Sequence, residues 1–367
     1  MSDASDGEYG KSVVKAAKEV AAPAIDYLPP MPRSYRPKIG LIGAGGITEY
    51  HLRAYQKMGL EVVAICDVDA NRAGQRRDEF YPAAEVFTEY GDVLNYEGVD
   101  VVDIATHPDE RVAIIRAAIE TGKHVLSQKP FVVDLAVGRE LVELADQKNV
   151  KLAVNQNGRW APHFGYISRA VEAGVIGDLA SIDFVLHWDH TWTGGTPFEE
   201  IHHLLLYDFA IHWFDITIAM LGEIPVRSVY ASVARTSYQT IKPPFLAQVV
   251  LECGNDDTSV QARFCFNALV EYGQEDRTIV AGSKGTLRAF GPELNDQQVQ
   301  MWTESGFARP ILEGDWFDNG FRGTMGELLC AIEDDRQPRN NARENLRSLE
   351  LCFAAMKSAD SGDVVRL

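Results

Sequence analysis

The chain has 367 residues, of which 46% are hydrophobic and 24% are charged, so it is long enough for two domains of ordinary globular composition. Its formal net charge of −18 argues against nucleic acid and against an anionic membrane as partners, because both bind basic protein surfaces. All apolar runs fall short of the ~20 residues that a membrane-spanning helix needs.

Residues 1–37 form an N-terminal extension that lacks the charged and then apolar order of a signal peptide. Within it, residues 12–21 are expected to form a short helix, and the proline-rich segment that follows is expected to be extended. The extension is either a flexible tail or an arm that packs on its own domain or on a neighbouring subunit. The packed arm is favoured by apolar side chains at Tyr27, Leu28, Met31 and Tyr35.

From residue 38 to residue 157, strands alternate with helices in the sequence pattern. Runs of Val and Ile such as VDVVDIAT are typical of strands that helices bury on both faces. Strands are predicted at 38–42, 61–66, 85–87, 99–105, 123–127 and 151–155, and helices at 47–58, 69–79, 88–95, 109–121 and 135–149. This alternation predicts an α/β domain with a doubly wound parallel sheet, whose ligands bind beyond the carboxyl ends of the strands.

The segment GLIGAGGI, residues 40–47, joins the first predicted strand to the first predicted helix. Gly43 permits a tight turn, and Gly45 lets the backbone approach a phosphate without a side chain in the way. The helix that follows offers free N–H groups and a positive dipole end to an anion. Thr48 stands where a full G-x-G-x-x-G would have its third glycine. We predict that Gly43, Gly45, Gly46 and Ile47 form a cradle for a pyrophosphate. The alternative is an ordinary structural loop.

The second predicted strand ends at Asp67, close to the ~20 positions after the first glycine at which dinucleotide-binding folds place an acidic residue. A carboxylate there accepts hydrogen bonds from both ribose hydroxyls and repels a 2′-phosphate, so NAD is predicted over NADP. Arg72 tolerates a phosphate and leaves NADP as the less favoured cofactor. The alternative for Asp67 is an ordinary solvated strand end. With the glycine segment and the alternating elements, residues 38–157 are predicted to form a Rossmann NAD-binding domain.

Residues 158–367 have a different texture, in which helices predicted near 164–174 and 203–221 accompany several β-rich segments. Two further helices are predicted at the end of the chain, over 324–333 and 343–358. The β-rich segments are SIDFVLHWDH, VRSVYASVAR, FLAQVVLEC, TSVQARFCF, RTIVAG and GTLRAF. This pattern predicts an α+β domain with an open-faced, mostly antiparallel sheet.

Lys129 is the first candidate for a catalytic side chain, because it follows a predicted strand and precedes Pro130. The proline holds the lysine backbone extended and removes the next N–H group. At the expected cofactor crevice, the ammonium group would donate to, or accept from, a reacting hydroxyl. On spacing alone, a surface lysine at a turn is the favoured alternative.

A second candidate lies in LLLYDFAIHWFD, where Asp208 and His212 stand four residues apart on a predicted helix. A carboxylate one turn away orients an imidazole, which then acts as a base for an alcohol proton. The alternative is a histidine that caps a helix or fills the core. Upstream, His202 and His203 suggest zinc, but there is no H-E-x-x-H and the five cysteines are scattered, so no metal is predicted. Scattered cysteines also indicate a reducing compartment, the cytoplasm.

Two further places combine aromatic faces with hydrogen-bonding side chains, as a sugar ring requires. The first is NQNGRW at the domain junction, and the second is the loop HWDHTWTGGTPF, which in the alternative packs against a second subunit. The predicted substrate-binding residues are Asn157, Arg159, Trp160, Trp192, His203, Asp208 and His212.

Several motifs in order resemble the glucose–fructose oxidoreductase / inositol dehydrogenase (Gfo/Idh/MocA) family from about Lys38 to the C-terminus. They are GLIGAGGI, VVAICDVD, VVDIATHPDERVAIIRAAIETGKHVLSQKP, YDFAIHWFD and GTMGELLCAIEDDRQPRNNARENLRSLELCFAAMKSA. The resemblance implies an NAD(P)-dependent sugar dehydrogenase whose substrate domain, here residues 158–367, forms homodimers or homotetramers through its open sheet face.

The resemblance also assigns residues to the family's motifs. The E-K-P motif corresponds to Gln128, Lys129 and Pro130, so its first position departs from the family, and the catalytic D-x-x-x-H pair corresponds to Asp208 and His212. In the T-P-x motif His107 takes the place of the proline, and Arg111 stands where many relatives carry histidine. The cofactor-binding residues implied in addition to the glycine cradle are Asp67, Arg72, Thr106, His107, Gln128 and Lys129.

Residues and resemblance together predict that a sugar or polyol binds between the domains. His212, oriented by Asp208, takes the hydroxyl proton, Lys129 hydrogen-bonds to the same oxygen, and hydride passes to the nicotinamide. The aromatic and histidine-rich loop is similar to that of bacterial aldose dehydrogenases acting at the anomeric carbon, with D-apiose as an example. Oxidation of inositol or another polyol is nearly as well supported, and an enzyme with tightly held NAD and a non-catalytic NAD-binding sensor remain as rivals.

Overall fold

The computed structural model describes residues 17–255 and 259–367, which form two β-sheets with helices packed on them. The strands of the first sheet are Lys38–Ile42 (β1), Glu61–Cys66 (β2), Glu85–Phe87 (β3), Val99–Ile104 (β4), His124–Gln128 (β5) and Leu152–Asn155 (β6). They are all parallel, in the order β3-β2-β1-β4-β5-β6. The helices between them are Thr48–Lys57 (α1), Ala70–Phe80 (α2), Tyr90–Leu94 (α3), Pro108–Glu120 (α4) and Leu135–Gln147 (α5). The predicted doubly wound parallel sheet is confirmed.

The strand order reverses between β1 and β4, which is where a doubly wound sheet opens a crevice for its ligand. Apolar β-branched sequences such as EVVAIC in β2 are buried by helices on both faces of this sheet. Side-chain caps fix where two of the helices begin, since Asp69 accepts from the N–H of Asn71 at 2.9 Å and Asp134 from that of Ala136 at 2.6 Å. The carboxyl ends of all six strands therefore meet along one edge.

The second part of the chain is built on a nine-stranded sheet. Its strands are Leu179–His187 (β7), Val226–Ala234 (β8), Leu246–Gly254 (β9), Ser259–Asn267 (β10), Glu275–Gly282 (β11), Gly285–Glu293 (β12), Asp296–Thr303 (β13), Gly306–Ala308 (β14) and Val365–Arg366 (β15). Their order is β14-β13-β12-β11-β7-β10-β9-β8-β15, and every neighbouring pair except β7 and β10 is antiparallel. The helices are Pro162–Glu172 (α6), Ile211–Leu221 (α7), Trp316–Glu333 (α8) and Ala342–Ser361 (α9). This confirms the predicted α+β part with a mostly antiparallel sheet.

One face of the second sheet is covered and the other is open, as β10 illustrates. Phe264 is buried and packs edge-on against Phe214 of α7, with ring centroids 5.2 Å apart. Gln261 and Arg263, at alternating positions on the same strand, are exposed on the other face. Within the described ranges no helix is both long and apolar enough to cross a membrane.

The helix predicted over residues 12–21 is wrong where the structure describes it, and residues 12–16 lie outside the described residues. Residues 17–21 are extended because they pair with the edge strand β14. The N–H of Val20 donates to the carbonyl of Phe307, and the N–H of Phe307 donates to that of Lys18, both at 2.8 Å. The backbone groups of this segment thus form hydrogen bonds to an edge strand, and not the bonds within a helix that the sequence pattern predicts.

Further along the extension, the carboxylate of Glu333 at the end of α8 holds three consecutive backbone N–H groups. The distances to its oxygens are 2.7 Å from Arg33, 2.7 Å from Ser34 and 2.9 Å from Tyr35. These bonds lower the pKa of Glu333 to about 2. The described part of the extension is therefore an arm that packs on its own chain.

Candidate active site

The glycine turn after β1 is shaped for an anion. Gly43 has φ +94°, and a Cβ there would lie 2.8 Å from the carbonyl carbon of Ala105, so only glycine fits. A Cβ at Gly45 or Gly46 would meet nothing within 4 Å among the described residues, so the backbone is open to a ligand. In the same part of the chain, α1 begins after Ile47 without a side-chain cap. The first N–H groups of α1 donate back to carbonyls of the turn, so the open glycine backbone and the positive end of the helix dipole are what fit a pyrophosphate.

Asp67 lies directly beside this turn. Its Oδ2 accepts from the N–H of Ala44 at 2.7 Å, and its Oδ1 accepts from the N–H of Asp69 at 2.9 Å. Each carboxylate oxygen accepts more than one hydrogen bond, so the ribose hydroxyls still have acceptors there. The structure therefore brings the predicted acidic residue to the glycine cradle.

A groove of about 980 Å³ runs past the turn, within the ~300–1,000 Å³ typical of cofactor sites. Arg72 and His107 line it, as does Arg76, which the sequence reasoning missed. The guanidinium of Arg76 lies 3.4 Å and 3.3 Å from the carbonyl oxygens of Gly45 and Gly46, whereas Arg72 is largely exposed. In the sequence, Arg76 stands four residues after Arg72, one turn further along the same helix, and this spacing is the signal that would have identified it.

Gln128 belongs to a buried hydrogen-bond network rather than to the groove. Its Oε1 accepts from the N–H of Lys129 at 2.7 Å, and its Nε2 lies 3.1 Å from Nε2 of His51. On the other side of that ring, Nδ1 lies 2.6 Å from Asp103, which also accepts from the hydroxyl of Tyr55. With Nδ1–H donating to Asp103, Nε2 of His51 accepts, and the amide nitrogens of Gln128 and Asn155 both lie within hydrogen-bond reach of it, the latter at 3.2 Å. An ionised glutamate at position 128 would instead place a second acceptor there. The network thus accommodates the departure from E-K-P and fixes the backbone of Lys129.

Arg111 holds the neighbouring loops together. It is buried, and its guanidinium donates to the carbonyl oxygens of Thr106, Gln128 and Pro130, with 3.1 Å for Nε to Thr106 and 2.5 Å for Nη1 to Pro130. Burial lowers its pKa to about 10. Because the described partners are carbonyls, the guanidinium holds the loops after β4 and β5 in place. Thr106 takes part as an acceptor through its backbone carbonyl.

Lys129 and Asp208 form an ion pair between the two parts of the chain. The Nζ of Lys129 lies 3.0 Å from Oδ1 of Asp208 and 2.9 Å from its carbonyl oxygen. The side chains are only 19% and 15% exposed. Lys129 follows β5 and the glycine turn follows β1, so this pair lies at the same sheet edge as the cradle.

The hydrogen bond expected between Asp208 and His212 is absent from the contacts of the described residues. Asp208 lies in a π-helical turn, Leu205–Phe209, in which the N–H of Ala210 donates to the carbonyl of Leu205 at 2.8 Å. The extra residue in this turn breaks the regular i, i+4 alignment. Asp208 therefore orients Lys129, while Nδ1 of His212 is buried without a partner in the described ranges.

His212 is nevertheless suited to be a base. Burial and then the nearby charge of Lys129 hold the pKa of His212 well below its usual value. The imidazole is therefore neutral near pH 7 and able to accept a proton. The structure thus brings Lys129, Asp208 and His212 together. The arrangement differs from the predicted one because the carboxylate of Asp208 pairs with Lys129 and not with His212.

An aromatic wall, defined as Trp188, His190, Trp213 and Trp316, extends from this cluster. Ring centroids are 5.0 Å apart from Trp188 to His190, 5.0 Å from Trp188 to Trp213, 5.7 Å from Trp213 to Trp316 and 5.8 Å from Trp316 to His212. Burial lowers the pKa of His190 to about 4, so its ring is neutral. Within the described ranges, buried ring nitrogens of Trp188, His190 and Trp213 lack partners. The three tryptophans are buried in the core, and their neighbourhood offers unused ring nitrogens that suit a sugar hydroxyl.

Three residues predicted to bind substrate lie at the junction of the two parts of the chain. Arg159 forms a two-pronged ion pair with the buried Asp215, at 2.5 Å and 2.9 Å. Trp160 packs closely against the backbone of α8, and Asn157 is buried at the neighbouring turn of that helix. The reason is the 3-10 turn at Asn157–Trp160, which directs these side chains toward α7 and α8.

Asn155 and Gln156, one step earlier, are better candidates for ligand contact at the end of β6. Both are buried, and the Oδ1 of Asn155 and both polar side-chain atoms of Gln156 have no partner among the described residues. The sequence motif NQNGRW is therefore placed correctly at the domain junction. Its unpartnered polar side-chain atoms lie at the end of β6 and not in the turn that follows.

The two remaining predicted substrate residues are peripheral. Trp192 is 57% exposed, and its ring lies 6.1 Å from that of His190. His203 is buried, and its Nε2 lies 2.9 Å from Oδ1 of Asp360 at the end of α9. No hydrogen bond or ion pair of the described residues joins its ring to Lys129 or His212, so His203 belongs to a different cluster.

Comparison with known proteins agrees with this geometry. A family model for the oxidoreductase family with an NAD-binding Rossmann fold (GFO_IDH_MocA) matches residues 37–156, and one for the GFO/IDH/MocA C-terminal domain matches residues 164–288. D-apiose dehydrogenase from Paraburkholderia graminis is 27% identical, covering 90% of this chain and 89% of that protein. Inositol 2-dehydrogenase from Rhizobium meliloti is 26% identical, covering 88% and 96%.

Solved structures share the fold. An oxidoreductase from Agrobacterium radiobacter in complex with NAD+, L-tartaric acid and magnesium matches with a TM-score of 0.80 and 21% identity, covering 90% of this chain and 98% of that one. The scyllo-inositol dehydrogenase of Lactobacillus casei with NAD(H) and scyllo-inositol matches with a TM-score of 0.76 and 20% identity, covering 90% and 99%. From the two family models, the relatives and the shared fold, the chain belongs to the Gfo/Idh/MocA family of oxidoreductases with an NAD-binding Rossmann fold.

Proposed function

We propose that the chain is an NAD-dependent dehydrogenase that moves hydride between a sugar and nicotinamide, with an aldose such as D-apiose oxidised at its anomeric carbon. The observation that carries the proposal is the Lys129–Asp208 ion pair beside the neutral His212. A cation and a neutral base at the sheet edge that carries the glycine cradle are what the oxidation of an alcohol requires.

The cofactor would be held by the glycine turn at its pyrophosphate and by Asp67 at its adenosine ribose. Bound nicotinamide supplies the hydride acceptor. A carboxylate beside Ala44 disfavours a 2′-phosphate, which supports NAD over NADP. Arg72 and Arg76 line the same groove and set a limit to that preference, because each is able to neutralise a phosphate.

The proton chemistry follows from the charges in the cluster. His212 accepts the hydroxyl proton, because its pKa is held low and its ring is neutral. Lys129 donates a hydrogen bond to the same oxygen and stabilises the negative charge that develops there. Asp208 fixes the ammonium group in place through its carboxylate and its carbonyl oxygen. Water is excluded because the three side chains are largely buried.

For the substrate, the unpartnered ring nitrogens of the aromatic wall support a polyhydroxylated ligand that hydrogen-bonds to them. The D-apiose dehydrogenase among the relatives supports an aldose. Inositol is the second candidate, supported by the inositol 2-dehydrogenase of similar identity.

The proposal is tested by measuring NADH formation from D-apiose, other aldoses and inositols, with NAD and NADP in parallel. Turnover of a free aldose to a lactone or acid with NAD supports the proposal. Turnover confined to inositols replaces it with the second candidate, and better turnover with NADP overturns the cofactor preference. Silence on the whole panel, with NAD bound, refutes the dehydrogenase and favours an NAD-binding sensor.

We also propose a cytoplasmic location and a homodimer or homotetramer formed through the open face of the nine-stranded sheet. All five cysteines are free, which supports a reducing compartment. The open face includes Gln261 and Arg263 on β10, in the middle of the sheet. Light scattering of the purified chain tests the assembly, and a monomer would refute it.

A further inference from the structure

The corner at His202 and His203 and the end of α9 bring together three side chains that the proposed reaction does not use. Nε2 of His202 lies 3.0 Å and 3.2 Å from the two carboxylate oxygens of Asp360, and Nε2 of His203 lies 2.9 Å from Oδ1. One ligand atom from each residue lies within 4.8 Å of the others. The cluster is outside the Lys129 site.

The backbone at this corner turns the two imidazoles to the same side. Successive residues of an extended chain point in opposite directions. His203 has φ +49°, a left-handed conformation that side chains other than glycine rarely adopt, and the two rings lie with centroids 4.0 Å apart. The unusual backbone conformation of His203 thus directs both imidazoles to one carboxylate, and such strain is typical of functional sites.

Burial and charge also suit a bound cation. Asp360 supplies a carboxylate beside the two imidazoles. The side chain of His203 is 6% exposed and anchors the cluster, while those of His202 and Asp360 are 65% and 55% exposed and leave an entry from solvent. One fixed ligand and two accessible ones allow a metal to enter without unfolding.

We propose that His202, His203 and Asp360 bind a divalent transition metal ion, with Zn²⁺ as the representative. Two imidazole nitrogens and one carboxylate oxygen form the N/O ligand set that Zn²⁺ takes, with a water molecule in the fourth position. Mg²⁺ and Ca²⁺ prefer all-oxygen sites and bind weakly here.

A metal ion bound at this corner links the end of α9 to the π-helical turn that contains Asp208. The carbonyl oxygen of His203 accepts the N–H groups of Leu206 at 2.8 Å and of Tyr207 at 3.0 Å, at the start of the π-helical turn. Fixing His203 on Asp360 therefore restrains the backbone that leads to Asp208. Bound metal raises the thermal stability of the chain because it binds only the folded arrangement.

The test uses the full-length, tag-free protein, stripped with chelator and titrated with Zn²⁺ by calorimetry, with Co²⁺ absorption as a second readout. The expected result is one Zn²⁺ per chain, weakened at least ~10-fold by His202→Ala and by Asp360→Asn. The matched control is Asp363→Asn, an exposed carboxylate three residues further on, which keeps wild-type binding.

The same three variants are compared by thermal unfolding with and without Zn²⁺. A rise in melting temperature in the wild type and in Asp363→Asn, but not in Asp360→Asn, supports the site. Equal Zn²⁺ binding by Asp360→Asn and Asp363→Asn overturns it, as does the absence of stoichiometric binding by the wild type. These readouts do not depend on dehydrogenase activity, so failure of the metal site leaves the proposed function standing.

Discussion

Replacing His212 by alanine is expected to slow the oxidation of substrate by ~10²–10⁴-fold, the usual loss on removing a general base. At 1.36 kcal/mol per tenfold, this is about 3–5 kcal/mol of the barrier. The wild-type pH profile carries the sharper expectation. An ordinary imidazole with a pKa of about 6.5 would lose roughly tenfold of its neutral form between about pH 7.5 and about pH 5.5. Because the pKa of His212 is held well below that value, wild-type kcat/KM is expected to fall much less.

The assay is steady-state NADH formation, with NAD affinity measured separately by fluorescence. The control is His124→Ala, which removes a half-buried histidine from the opposite end of β5, where its Nδ1 accepts from the N–H of Lys151. The control should keep near-wild-type turnover. Turnover of His212→Ala at near the wild-type rate, or loss by the wild type of the full tenfold expected of an ordinary histidine, would refute the role of His212 as the base.

Three further outcomes are expected. Gly45→Ala should fold normally yet weaken NAD binding on the order of tenfold in calorimetry, unlike Gly74→Ala, since neither Cβ meets a described neighbour but only Gly45 faces the phosphate. Glu333→Gln should raise hydrogen exchange of the Ser34 amide roughly five- to tenfold at neutral pH, and the wild type should lose this protection only as pH falls from about 4 toward 2. Asp276→Asn should stabilise the chain against urea, increasingly as pH rises toward 8, because burial raises the pKa of Asp276 to about 8 and its proton is lost above about pH 4 on unfolding.

The first sheet was predictable because its strands are short apolar runs bounded by turn residues. β1 and β2 have the predicted bounds, 38–42 and 61–66, and the glycine turn between β1 and α1 lies where the motif places it. Local sequence determines such elements, since both faces of each strand must be apolar whatever the rest of the chain does. The glycine turn and Asp67 come together because they follow the neighbouring parallel strands β1 and β2.

The substrate side was less predictable because long-range contacts decide it. Arg159 is drawn away from the cleft by Asp215, a partner that no local pattern reveals. Asp208 is turned toward Lys129 by an extra residue in one helical turn, which the i, i+4 spacing conceals. Trp316 was missed because α8 was predicted to begin at residue 324, although a capping signal was present, since Asp315 accepts from the N–H of Asp318 at 2.7 Å.

In the proposed reaction, hydride leaves a sugar carbon while His212 takes the hydroxyl proton. The most direct measurement is deuterium transfer from an aldose labelled at its anomeric carbon to NAD, followed by mass spectrometry in the wild type and in His212→Ala. Labelled NADH is expected from the wild type, with transfer slowed by ~10²–10⁴-fold in the variant. Label that stays entirely in the sugar while NAD is bound, or equal transfer by both proteins, would contradict it.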